Sequence, residues 1–130
     1  MVAQHFANLK LENVDPGALV SELDLSTRQK IEIAKAVSRD PRVLLLDEPT
    51  STLSVSDVDW LGTLIESLST TGVTLVFITH RMAEVRRFCS SLTVLRNGQH
   101  AGSFEVDEVS DSDVVRLVIG RSLGAIYPEK

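Results

Sequence analysis

The sequence predicts an α/β fold: a parallel βαβ core followed by a β-hairpin and a closing helix. Three observations carry this expectation. Two short apolar runs, residues 43–46 (VLLL) and 73–80 (VTLVFITH), flank a stretch of helical periodicity. That order and spacing is a βαβ unit, whose strands are parallel neighbours. Downstream, residues 92–104 alternate around Asn97-Gly98, the strongest short-range hairpin signal. Finally, Ser110 followed by Asp113, with Gly120 beyond, frames a last helix.

The remaining elements follow in chain order. Residues 1–22 mix short apolar patches with a turn at 14–17 (VDPG), where Asp15-Pro16-Gly17 breaks regular structure. From 24 to 38, Leu25, Ile31, Ile33, Ala34 and Val37 fall mostly on one side of a helix, with Arg28, Lys30, Glu32 and Lys35 on the rest. Pro41 ends it. Residues 43–46 are apolar at every position, the pattern of a strand buried on both faces of a parallel sheet. Ser54 with Asp57 opens a helix running to about Thr71, and Gly72 stops it. Residues 81–89 read as a short helix. Two parallel strands and a hairpin leave an open sheet edge, which is normally paired or covered. The rest of the sheet is expected from sequence outside these residues.

The chain has 130 residues, 43% hydrophobic and 24% charged, enough apolar material for a packed core. A formal charge of −5 argues against a nucleic-acid partner held on a basic face. The one cysteine, Cys89, has no internal partner, which fits a reducing compartment. Neither a signal peptide nor a membrane-length apolar run is present, so membrane association is expected through a partner.

The chemistry concentrates at the strand ends. In open α/β sheets, ligands bind beyond the carboxyl ends of the strands. Asp47 and Glu48 end the first strand and His80 ends the second, so all three are expected at one rim. Adjacent carboxylates repel, and Mg²⁺, which takes one or two carboxylates plus phosphate and water oxygens, relieves that. Pro49 should push Glu48 into an extended conformation. A carboxylate held there could orient or deprotonate an attacking water, with His80 on a terminal phosphate. Taken singly, the acidic pair also reads as a strand end meeting solvent, and His80 as a loop residue.

Taken jointly, these residues resemble the ATP-binding cassette (ABC) ATPases. Residues 43–54 (VLLLDEPTSTLS) resemble that family's Walker B strand and D-loop, 73–80 the strand leading to its switch histidine, and 31–42 (IEIAKAVSRDPR) the helix after its signature loop. The stretch 32–50 and the ending 118–128 (VIGRSLGAIYP) are similar to the monosaccharide-importer branch, whose ATPases carry two cassettes in one chain. The resemblance implies a partial P-loop NTPase fold: the carboxyl half of a first cassette, with residues 1–40 closing a helical subdomain and 41–130 carrying the rest. It implies ATP and Mg²⁺ as ligands, Asp47 coordinating the metal through water, Glu48 as general base, His80 on the γ-phosphate, and Ser51 to Ser54 as D-loop. Implied partners are transmembrane permease subunits, a second ATPase cassette and an extracytoplasmic solute-binding protein, at the cytoplasmic face of the membrane.

Two departures stand out. The family's phosphate-cradling loop, GxxxxGK[ST], is not in this sequence. The signature is also altered. Counted back from Walker B it falls on 23–27 (LDLST), with Asp24 in place of a serine and Ser26 of a glycine; the resemblance implies that Asp24, Leu25, Ser26 and Thr27 face the nucleotide of the opposite cassette. The shifted alternative, 25–29 (LSTRQ), would rotate the helix's buried face by about 200°. Asp24 either opposes an anion at a helix amino terminus or simply caps that helix. Two other readings stay open: a non-catalytic truncated remnant, and an ABC ATPase of the DNA-repair or chromosome type, against which the net acidity argues.

Overall fold

A computed structural model describes residues 2–11 and 14–120, in two compact units that divide between Ile78 and Thr79. The first contains α1 (Val2–Asn8), a 3₁₀ turn (Val20–Glu22), α2 (Leu25–Val37), β1 (Val43–Asp47), α3 (Val55–Thr70) and β2 (Thr74–Ile78). The second contains α4 (Met82–Phe88), β3 (Ser91–Arg96), β4 (Gln99–Glu105), a 3₁₀ turn (Val106–Glu108) and α5 (Asp111–Ile119).

In the first unit β1 and β2 pair in parallel, Val43 opposite Thr74 through Asp47 opposite Ile78. The helix between them starts where its capping residues demand. Ser54 Oγ accepts the Asp57 N–H at 3.2 Å, and Gly72, at φ +87°, turns the chain back toward β2. The core of this unit draws on Leu44 and Leu46 of β1, Leu61, Leu64 and Ile65 of α3, and Ile33 and Ala34 of α2. Trp60 donates from Nε1 to the Leu9 carbonyl at 2.7 Å, tying α3 to the segment after α1.

The continuous apolar run of β1 predicts burial on both faces, and here the structure differs. Leu44 and Leu46 are 5% and 6% exposed, whereas Val43 and Leu45 are 59% and 60% exposed. Val76 and Ile78 of β2 share that open face. The run is apolar throughout because it is suited to two covering layers, and among the described residues only one face is covered. This face should bind an apolar dye such as ANS. Leu45→Lys is expected to lower that fluorescence while shifting stability by no more than about 0.5 kcal/mol; unchanged fluorescence would place the dye elsewhere.

The second unit folds as the turn residues dictate. Asn97 and Gly98 both take positive φ, +50° and +74°, the geometry of a two-residue hairpin turn. β3 and β4 pair antiparallel, with a register irregularity after Val94. α5 packs on the hairpin, with Val94, Val109 and Val114 buried among Met82, Leu92, Ala101, Phe104 and Leu117. Arg86 of α4 fastens the β4–α5 connection: it donates to the carbonyls of Val106 and Val109 and pairs with Asp111 at 2.7 Å. α5 is capped by Ser110 at its start and by Gly120, φ +78°, at its end. Cys89 is half-buried, and burial pushes its thiol up, as befits a small packing residue. His100 is exposed and meets Ser103 Oγ at 2.9 Å. The His5 side chain and the ending beyond Gly120 lie outside what is described.

Candidate functional site

The parallel pairing on which the strand-end expectation rests is present. Asp47 is level with Ile78, and the ladder runs one residue further: Glu48 N–H donates to the Ile78 carbonyl at 2.9 Å. The chain then turns at once. Glu48 O accepts from Ser51 N–H at 3.1 Å, and Thr50 O from Leu53 N–H at 3.1 Å, while Pro49 and Thr50 are buried. Asp47 lies on the open, exposed face of the strand pair, and Glu48 is half-buried.

Glu48 corrects one expectation. A residue before proline should be extended, yet Glu48 has φ +45°, in the left-handed region. Its N–H is still committed to the β2 ladder while its carbonyl already closes the turn to Ser51. Buried Pro49 and Thr50 anchor the far side. Meeting all these demands within one residue requires the left-handed conformation, at a cost on the order of 1–3 kcal/mol. Such strain at a carboxylate ending a parallel strand is characteristic of functional turns.

The segment expected to face a nucleotide from α2 begins at its cap. Asp24 Oδ1 accepts the Thr27 N–H at 2.9 Å and Asp24 Oδ2 the Thr27 hydroxyl at 2.7 Å. The Thr27 hydroxyl, followed by its backbone N–H, holds the Asp24 carboxyl below the usual carboxylate range. Asp24 is therefore a helix cap, and it is a charged one. Leu25 is exposed beside it. Arg28 folds the preceding 3₁₀ turn back, donating to the carbonyls of Leu23 at 2.8 Å and Ser21 at 2.7 Å.

Ser26 and Ser54, far apart in sequence, meet at one carboxylate. Ser26 Oγ donates to Asp57 Oδ2 at 2.5 Å, Ser54 Oγ donates to the same oxygen at 2.8 Å, and Lys30 Nζ reaches Asp57 Oδ1 at 2.8 Å. Burial alone would push Asp57 up; the bonds from Lys30, Ser26 and Ser54 outweigh it and bring the carboxyl down to about 2. The sequence marks Asp57 only as the residue that starts α3. Its reach to α2 is a tertiary contact, for which the one available signal is Ser26 and Lys30 standing one helical turn apart on one face.

His80 lies in the second unit, exposed, two residues past β2. The turn that carries it is braced by a buried carboxylate unmarked by the sequence pattern. Thr79 Oγ1 donates to Glu84 Oε2 at 2.7 Å, Arg81 pairs with Glu84 Oε1 at 3.3 Å, and Arg81 N–H donates to Thr79 Oγ1 at 3.1 Å.

Among the described residues no three His, Cys, Asp or Glu side chains gather as a metal cage. An exposed carboxylate at a strand end suits Mg²⁺, which draws most of its ligands from phosphate and water. Asp47 fits that role; the phosphate-cradling side would have to be supplied by residues other than these.

No family model matches the chain. It is 40% identical over 121 residues to the ribose import ATP-binding protein RbsA of Ruegeria sp. (strain TM1040), covering 93% of this chain and 24% of that protein. It is 43% identical over 118 residues to ribose import ATP-binding protein RbsA 1 of Mesorhizobium japonicum (91% and 23%), and 40% identical over 116 residues to the galactose/methyl galactoside import ATP-binding protein MglA 1 of Photobacterium profundum (89% and 23%). The chain thus spans about a quarter of the length of these relatives. Among solved structures, an ATP-binding cassette of an ABC transporter in its ADP conformation superposes with a TM-score of 0.71 at 27% identity, covering 91% of this chain and 48% of that one. An inward-facing putative metal-chelate type ABC transporter shares the fold, with a TM-score of 0.75 at 24% identity over 91% of this chain and 47% of that one. Similarity along nearly the whole sequence, and a shared fold with a parallel βαβ core, hairpin and helix, give one conclusion: the chain has the fold of part of an ABC ATPase cassette and is homologous over most of its length to a stretch of the ribose and galactose import ATP-binding proteins.

Proposed function

We propose that this chain is part of the ATP-hydrolysing engine of a sugar importer. The observation that carries the reading is the roughly 40% identity to sugar-import ATP-binding proteins, which runs through the strand end bearing Asp47 and Glu48. When bound, Mg²⁺ would neutralise charge on the phosphate chain. Asp47 would hold it through water. Glu48, aimed by its left-handed turn, would take the proton of the attacking water. His80 would contact the γ-phosphate, and the braced turn of Thr79, Arg81 and Glu84 would fix its backbone. Residues 24–27 and 51–54 would line the surface shared with a second cassette. No helix among the described residues is long and apolar enough to cross a membrane. Membrane permease subunits, fed by an extracytoplasmic solute-binding protein, would carry the sugar.

A second reading has its own support. The carboxylate of Asp24 stands where an anion would approach α2. This favours a remnant that keeps the fold without turnover. One experiment separates the readings: this chain replaces the matched region in the Ruegeria ribose-import protein, and Mg-ATP hydrolysis of the chimera is measured. Hydrolysis within about tenfold of the parent is expected. A folded chimera that does not hydrolyse ATP supports the remnant.

A further inference from the structure

We propose that Asp57 is a positioning residue that couples residues 24–27 at the start of α2 to the turn 51–54 behind the strand end, so that the two segments shift together. The functional meaning of this coupling rests on reading both segments as nucleotide-facing; the coupling itself does not.

The geometry is unusually one-centred. Both carboxylate oxygens of Asp57 are used, one by Lys30 and the other by Ser26 and Ser54. Charge-assisted bonds of this length are the strong ones, and this set is shielded: the Lys30 and Asp57 side chains are only 18% and 19% exposed. Ser54 caps α3 and ends the turn that starts at Glu48. Ser26 sits in the first turn of α2, between Asp24 and the Thr27 N–H that Asp24 caps. One carboxylate therefore joins the first turns of two helices whose loops lead to different parts of the candidate site. It also fixes what Ser26 can offer. With its hydroxyl hydrogen given to Asp57, Ser26 presents no side-chain donor to an incoming anion, and the α2 segment is left with backbone N–H groups. Ordering one segment then orders the other, because the hydrogen bonds of Asp57 are satisfied in one relative placement only.

The bridge can be cut from the α2 side while the Ser54–Asp57 cap of α3 stays intact. In the full chain, the double variant Ser26→Ala/Lys30→Met is compared with wild type by amide hydrogen exchange. The readout is on the far segment: the amides of Ser51 and Leu53, which close the turn behind Glu48. Exchange there is expected to speed up by about tenfold, with core amides such as Leu46 and Leu64 unchanged. Unaltered exchange at Ser51 and Leu53 overturns the coupling. So does uniform acceleration that includes the core, which marks a loss of stability alone. Asp57→Asn in the ribose-import chimera gives an independent arm: kcat should fall about tenfold, with KM within about twofold. A chimera inactive with Asp57 present sinks the proposed function, while the exchange result still decides the coupling.

Discussion

Glu48→Gln in an ATP-hydrolysing chimera is expected to cut turnover by about 10²–10⁴-fold while nucleotide stays bound, the range a lost general base commands. The substitution is informative because of where Glu48 sits. Its backbone holds φ +45°, with N–H given to Ile78 and carbonyl to Ser51. Glutamine meets the same backbone demands as glutamate and has nearly the same shape, so the strain is unchanged and the melting temperature should stay level. What disappears is the ability to accept a proton. Phosphate release and retained nucleotide, measured on the same preparation, separate the two effects. Turnover that persists in the variant would remove Glu48 from the base role and pass it to another group at the rim. A fall in affinity without a fall in kcat would make Glu48 a binding residue instead.

Much of this site was legible in the sequence because local chemistry specifies it. Asp24, Ser54 and Ser110 each cap the helix that their spacing predicts, and Asn97-Gly98 turns the hairpin. Such signals act over three or four residues, so they survive without tertiary context. The parallel pairing of β1 and β2 followed from the length of the helix between them. What stayed hidden is tertiary. α1 has seven residues and no acidic residue in its first turn, so nothing in its pattern announces it. The one-sided burial of β1 depends on which layers are present, and a run of leucines is silent on that. Glu48 shows a local rule losing to its surroundings: the preference of a pre-proline residue yields to two backbone hydrogen bonds and two buried neighbours. Asp57 and Glu84 carry the same lesson for side chains, since each is an ordinary helix-start acid until its partners are known.

The Asp57 cluster also makes the first unit sensitive to acid, with a sign fixed by the direction of the shift. The folded carboxyl titrates at about 2, below the roughly 3.9 of an unfolded chain. Its contribution is therefore complete above pH 4 and is lost as pH falls toward 2. At about 1.4 kcal/mol per tenfold in proton affinity, the contribution is at most about 2.6 kcal/mol, and solvent screening lowers it toward about 2. Asp24 and Asp113 are held low as well, so their contributions fade in the same direction. The Asp57 share is isolated by comparing wild type with Asp57→Asn in urea, following Trp60, the single tryptophan, which lies on the same helix. The two proteins should differ by about 2 kcal/mol at pH 6, with a gap that closes as pH drops through 4 to 2. The closing follows from protonation: an Asp57 that carries a proton is as neutral as the asparagine that replaces it, and Lys30 loses its counter-charge in both. A gap that stays constant across this range would show that the carboxyl stabilises the fold by shape and neutral hydrogen bonding, with its charge contributing nothing.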